Sequence, residues 1–218
     1  MDYSYIAVEG NIGSGKTTLA HKLASEFNAE LVLEEFADNE FLPKFYADPR
    51  RYAFTLEMSF LAERYSQLSG LGSDRNLFSS VRISDYLLSK SLIFAASNLN
   101  EDELRLFRKV FDIMFKTVPT PDLLVYLYSD TERLLQNIRK RGRRYEQSIE
   151  EEYLSRVQAK YLDFLRKQSD NMRVLILDVS EVDFVKDRFV YEKLLSVIKK
   201  PRSKGLHQQV IESEQKSV

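Results

Sequence analysis

The sequence predicts an α/β fold: a five-stranded parallel sheet with helices on both faces. Three observations lead there. Short apolar runs alternate with segments of 3.6-residue periodicity along nearly the whole chain. A glycine-rich turn, "GNIGSGKT" from Gly10 to Thr17, separates the first apolar run from the first periodic segment. Breakers such as Pro119, Pro121, Gly142 and Pro201 fall between the segments and not inside them.

Taken in order, Tyr5–Val8 reads as a buried first strand, and Lys16–Phe27 as a helix with Leu19, Leu23 and Phe27 on one face. Glu30–Leu33 is a second strand, Phe41–Tyr46 a short helix, and Arg51–Leu68 a long one. Leu77–Ile83 is a third strand, weakened by two serines. Leu87–Ala96 and Glu101–Lys116 are helices, the second capped by Asn100. Leu123–Leu127 is a fourth strand, Thr131–Lys140 a helix stopped near Gly142, Glu150–Lys167 another helix, and Arg173–Leu177 a fifth strand. Phe184–Lys199 closes as a helix. Residues 1–200 therefore read as a single domain. Residues 201–218, polar and aperiodic, read as a disordered tail, with a partner-binding segment as the alternative.

Composition narrows the chemistry. The 218 residues carry a net charge of −1, which favours neither nucleic acid nor an anionic membrane. The sequence has no cysteine, so disulfides, thiolate catalysis and cysteine metal sites are excluded. His21 and His207 are the only histidines, too few for a histidine-rich metal site. No apolar run reaches the roughly 18 residues of a membrane span. With no signal peptide visible, a cytoplasmic location is expected.

The glycine-rich turn fits G-x-x-x-x-G-K-[ST] in full and has a strand before it and a helix after it. Its job requires backbone N–H groups to converge on phosphate oxygens, so the loop needs residues that accept positive φ and permit close approach. The helix that follows points its positive end at the same anion. Gly10, Asn11, Ile12, Gly13, Ser14, Gly15, Lys16, Thr17 and Thr18 are thus expected to hold ATP, with Lys16 on the outer phosphates and the Thr17 hydroxyl on Mg²⁺. By accident the pattern would turn up in roughly one chain of this length per hundred.

A phosphate loop does not by itself choose among motor, GTPase, sensor and kinase. No Asn-Lys-x-Asp guanine reader follows, and Val81-Arg82-Ile83-Ser84-Asp85 is a poor version of the apolar strand ending in aspartate that large ATPases use. A small-molecule kinase suits the length best. Glu34 follows the second strand, and in an open parallel sheet that end of the strand lies beside the phosphate loop. A carboxylate there can accept the proton of an attacking hydroxyl; the alternative is a solvated glutamate. Arg139-Lys140-Arg141-Gly142-Arg143-Arg144 reads as an arginine-rich lid over the phosphates. The alternatives are a helix end whose cations match its dipole, or a nucleic-acid patch. Glu57 and Arg64, seven residues apart, share one helix face and could equally be a surface pair.

These residues together resemble the deoxynucleoside kinases, particularly the bacterial deoxyadenosine/deoxyguanosine kinases, over nearly all of residues 3–199. Glu34-Glu35-Phe36 is similar to the family's glutamate-proline-valine, "FYADPRRYAFTLEMSFLAERYSQL" to its substrate helix, and "RKRGRRYEQ" to its R-G-R-x-x-E-Q lid. The resemblance implies a P-loop kinase fold that uses ATP and Mg²⁺ on a deoxynucleoside, and a homodimer built through Thr55–Gln67 and Glu101–Lys116. It implies Glu34 as the base on the 5′-hydroxyl, with Lys16, Arg141 and Arg143 on the transferring phosphoryl. Tyr46 and Glu146 would lie on the sugar, and Glu57 and Arg64 on the base. Asp183 and Phe184 would border the ATP adenine. The family's Asp/Glu-Arg-Ser is altered here to Ser84-Asp85-Tyr86. Asp85 is then expected beside Mg²⁺ and substrate, with Lys90 in place of the missing arginine. Glu57 implies a purine: guanine presents two adjacent donors to a carboxylate, while adenine-selective relatives also carry glutamate, so the choice between the two bases stays open. The rival readings are a nucleoside monophosphate kinase of thymidylate-kinase type and a non-catalytic ATP-sensing module.

Overall fold

The computed structural model describes residues 3–34, 39–70 and 81–213. Six parallel strands form one sheet in the order β2-β3-β1-β4-β5-β6. They are β1 (Tyr5–Gly10), β2 (Glu30–Val32), β3 (Arg82–Ser84), β4 (Leu123–Tyr128), β5 (Arg173–Asp178) and β6 (Gly205–Val210). Between them run α1 (Lys16–Phe27), α2 (Phe41–Ala47), α3 (Pro49–Gly70), α4 (Lys90–Asn98), α5 (Glu101–Phe115), α6 (Thr131–Arg141), α7 (Glu151–Gln168) and α8 (Arg188–Lys199).

The central strands are apolar on both faces because both are covered. Ile6, Val8, Leu123, Val125, Leu127, Leu175 and Leu177 pack with α1 and α8. The intervening Tyr5, Ala7, Leu124, Tyr126, Val174 and Ile176 pack with α4 and α7. Alternation along each strand thus feeds two cores. Helix ends follow local chemistry. Asn100 forms a full capping box with Glu103, Asp130 and Asp187 cap α6 and α8, and Gly142 ends α6 in the left-handed region at φ 75°. Pro49 opens α3, where its missing N–H costs nothing.

Three expectations need correction. The sheet has six strands rather than five, because residues 205–210 form β6 along β5 in parallel register from Arg173↔Gly205 to Asp178↔Val210. Residues 201–218 are therefore not a disordered tail throughout: Ile211, 1% exposed, is anchored in the core. The polar alternation of Leu206-His207-Gln208-Gln209 reads as loop in sequence, yet an edge strand needs only one partner and can leave its side chains in water. The last helix begins at Arg188 rather than Phe184, because the Asp183 side chain accepts from the backbone N–H groups of Val185 and Lys186 and forms a turn first. The third strand is seen from Arg82, and the remainder of its expected span, up to residue 80, lies outside the described residues. Glu35 and Phe36 of the motif after β2 lie outside them too.

Candidate active site

The carboxyl ends of β1, β2 and β3 bring together the loop after Gly10, Glu34 and Asp85, at the point where the strand order reverses. The loop is built for backbone contact. Gly13 has φ +84°, and a Cβ there would lie 2.7 Å from the Leu134 carbonyl oxygen, so no other residue fits. α6 holds the same turn through Asn137, whose Nδ2 donates to the Gly13 carbonyl at 2.9 Å. Asn11 donates to the Leu154 carbonyl at 2.9 Å, tying the loop to α7 as well. Ser14 Oγ is buried and has no partner among the described residues.

Asp85 joins the loop to the next strand. Its Oδ2 accepts from Thr17 Oγ1 at 2.5 Å and its Oδ1 from the Glu34 backbone N–H at 2.8 Å. Lys16 stands among Lys90, Glu34, Asp85 and Glu9, and desolvation, aided by Lys90, lowers it to about 8.

Glu34 faces the phosphate loop with a side chain 8% exposed. Arg64 grips its Oε1 from Nε at 2.8 Å and Nη2 at 2.6 Å, and Lys90 grips its Oε2 at 2.5 Å. Burial alone would raise this carboxyl. Lys90, Arg64 and Lys16 outweigh burial and hold Glu34 well below the usual carboxylate range. Lys90, the first residue of α4, thus sets a second cation on Glu34 beside Arg64. Arg64 is committed to Glu34 and to Ser91 Oγ, at 2.7 Å, and not to Glu57.

Glu57 lies on the same wall of α3 and is 1% exposed. Its Oε1 accepts from Asn98 Nδ2 at 2.6 Å, while Oε2 has no partner among the described residues. Burial pushes Glu57 up to about 7, against the Asn98 hydrogen bond and Arg64. On the lid, Glu146 is buried and accepts from Arg141 Nε at 3.1 Å and Nη2, and from Arg143 Nη1 at 3.3 Å. The lid is therefore latched by the residue expected on the sugar. Tyr46 stacks on Tyr145 with ring centres 6.0 Å apart.

Two cavities meet here. One is lined by Glu34, Tyr46, Glu57, Arg64, Lys90, Asn98, Glu146 and Tyr153. The other is lined by Gly13, Ser14, Gly15, Thr18, Arg133, Asn137, Lys140, Asp183 and Phe184. Lys16, Thr17, Arg141 and Arg143 line both. Phe184, 4% exposed, floors the loop; a Cβ on Gly15 would lie 3.0 Å from its ring.

Two residues of this centre escape sequence reasoning. Glu9, buried in β1, accepts from the Leu87 backbone N–H at 2.8 Å and from the Tyr161 hydroxyl at 3.0 Å. A lone carboxylate in an apolar strand was its signal. Asn98, at the end of α4, carries no signal in sequence. Among the described residues no cluster of three or more metal-ligating side chains occurs, and no helix is long and apolar enough to cross a membrane.

The model of the deoxynucleoside kinase family matches residues 6–201. A deoxyguanosine kinase of Bacillus subtilis (strain 168) is 33% identical over 198 residues, spanning 89% of this chain and 96% of the relative. A deoxyadenosine kinase of Dictyostelium discoideum is 30% identical over 188 residues, spanning 83% and 74%. The fold matches the structure of deoxyadenosine kinase from M. mycoides with bound dATP at a TM-score of 0.78 and 21% identity, over 90% of this chain and 100% of that one. The chain belongs to the deoxynucleoside kinase family.

Proposed function

We propose that this deoxynucleoside kinase transfers the γ-phosphoryl group of ATP to the 5′-hydroxyl of a purine deoxynucleoside. The observation that carries the reading is the junction of two cavities at Lys16, Thr17, Arg141 and Arg143, with Glu34 on the acceptor side of it. A donor nucleotide in the loop-lined cavity and a nucleoside in the other would meet at that junction.

The acceptor enters with its sugar between Tyr46 and Glu146 and its base toward Glu57. Glu34 takes the hydrogen bond of the 5′-hydroxyl and aims the oxygen at the γ-phosphorus. A carboxylate held so firmly ionised is a weak base, but phosphoryl transfer passes through a loose transition state in which the hydroxyl proton is surrendered late. Orientation is then its first task and acceptance of the proton its second. Arg64 and Lys90 fix both oxygens of Glu34, and Lys90 does so where relatives with Asp/Glu-Arg-Ser would use an arginine. Lys16 follows the phosphoryl, and Arg141 and Arg143 leave Glu146 to neutralise its equatorial oxygens.

The oxygen pair of Thr17 and Asp85 fits Mg²⁺, which takes one or two protein oxygens and completes its shell with phosphate and water. When bound there, the ion would offset charge on the β- and γ-phosphates. Ser14 Oγ, without a partner in the described residues, is a further group that a phosphate would satisfy. The relatives named above act, by their names, on purine deoxynucleosides, and Glu57 is suited to read a purine edge. The exposed Leu106 and Ile113 of α5 support a homodimer through that helix.

The test offers Mg·ATP with deoxyadenosine, deoxyguanosine, deoxycytidine and thymidine in turn and compares kcat/KM. A purine should lead. Turnover confined to 5′-monophosphates would replace this reading with a nucleoside monophosphate kinase, and ATP binding with no turnover would leave a sensor.

A further inference from the structure

We propose that the proton on Glu57 selects the purine: the ionised carboxylate takes guanine, the protonated acid takes adenine, and Asn98 fixes which oxygen carries the proton. The inference rests on the purine reading above.

The geometry comes first. Glu57 is 1% exposed on the wall of the acceptor cavity, with Oε1 held by Asn98 Nδ2 at 2.6 Å and Oε2 without a partner among the described residues. Because Asn98 donates into Oε1, a proton added to the carboxyl resides on Oε2. The surrounding charges do not settle the ionisation. Arg64 on the same helix and Lys90 on α4 are both engaged by Glu34, which repels Glu57 from beyond β2, and the Glu57 charge helps hold the proton on the Tyr153 phenol of α7. Tyr46 on α2 faces the same cavity. Burial therefore keeps Glu57 near 7, where both forms coexist.

Each form matches one base. Guanine presents N1–H and its 2-amino group, two adjacent donors that meet the two acceptors of a carboxylate. Adenine presents an N1 acceptor beside its 6-amino donor; these meet the hydroxyl on Oε2 and the carbonyl oxygen Oε1 of the neutral acid. The wrong pairing sets donor against donor or acceptor against acceptor out of contact with water, and such mismatches are strongly rejected.

The experiment measures kcat/KM for deoxyguanosine and deoxyadenosine between about pH 6 and about pH 8.5, in the unaltered protein, in Glu57→Gln and in Asn98→Ala. The deoxyguanosine-to-deoxyadenosine ratio should climb on the order of tenfold per pH unit around neutrality. Glu57→Gln, whose amide is a permanent donor beside an acceptor, should favour deoxyadenosine with no pH slope. Asn98→Ala should move the midpoint upward, since the hydrogen bond that favours ionisation is gone. A pH-independent ratio in the unaltered protein, or an unaltered slope in Glu57→Gln, overturns the proposal. If deoxycytidine or thymidine outperforms both purines at every pH, the purine reading itself has failed and the proposal falls with it.

Discussion

On the donor side of Lys16 the cavity is built around one continuous stretch, Gly13 to Thr18, whose backbone faces it, with α6 and the Asp183-Phe184 turn closing it. On the acceptor side the lining comes from side chains on separate elements: Glu34 after β2, Glu57 and Arg64 on α3, Lys90 and Asn98 on α4, and Glu146 in the lid. The first surface is a fixed array of amide dipoles that needs glycines at set positions and little else. The second is a closed set of charges in which each carboxylate is already engaged: Glu34 by two cations, Glu57 by an amide and Glu146 by two arginines. A backbone cradle tolerates change around it, whereas a charge network propagates each change to its neighbours.

That contrast can be broken at the lid first. Arg141 lines both cavities, so Arg141→Ala should lower kcat by ~10³-fold while leaving nucleoside binding nearly intact. A large rise in nucleoside KM at constant kcat would instead make Arg141 part of the acceptor wall.

Lys90→Ala sharpens the comparison inside the network. Glu34 keeps Arg64 but loses the hold on its other oxygen. Misplacement of this kind can cost up to roughly a hundredfold in kcat, and Lys90→Arg should restore most of it. An unchanged kcat would show that Arg64 alone positions Glu34.

A smaller effect belongs to the cradle. Lys16 titrates at about 8 in the free protein, so above that pH it is neutral, and ATP, which needs the ammonium, must bind together with a proton. The ATP KM should therefore rise with pH above about 8, by at most about tenfold per unit. Lys16→Arg should flatten that rise.

The least effect on turnover is expected at the far edge of the sheet. Removing residues 202–218 deletes β6, which lies beyond the family match, and exposes the pocket of Ile211. The Tm should fall by roughly 2–8 °C, and kcat/KM should stay within about twofold.

The same contrast explains what sequence could disclose. Strands and helices were legible because a buried strand must be apolar and a covering helix must repeat at 3.6 residues, and the phosphate loop because its constraint is local. Lys90 was legible only against a resemblance, as a cation displaced by about one turn. The partnership of Arg64 with Glu34 was not, because helical spacing couples Arg64 to Glu57 and says nothing of a residue thirty positions earlier. Asn98 and Glu9 act through contacts to distant segments. β6 was missed because an edge strand needs no apolar face.

Phosphoryl transfer as proposed above depends most on Glu34 acting at the mouth of the cradle. The direct measurement pairs ATP affinity with single-turnover phosphorylation of a purine deoxynucleoside in Glu34→Gln, an isostere that keeps an acceptor for Arg64 but removes the charge. ATP should bind as before, while the rate falls by about 10²–10⁴-fold. A rate within about twofold of the unaltered protein, with ATP binding intact, would contradict the account.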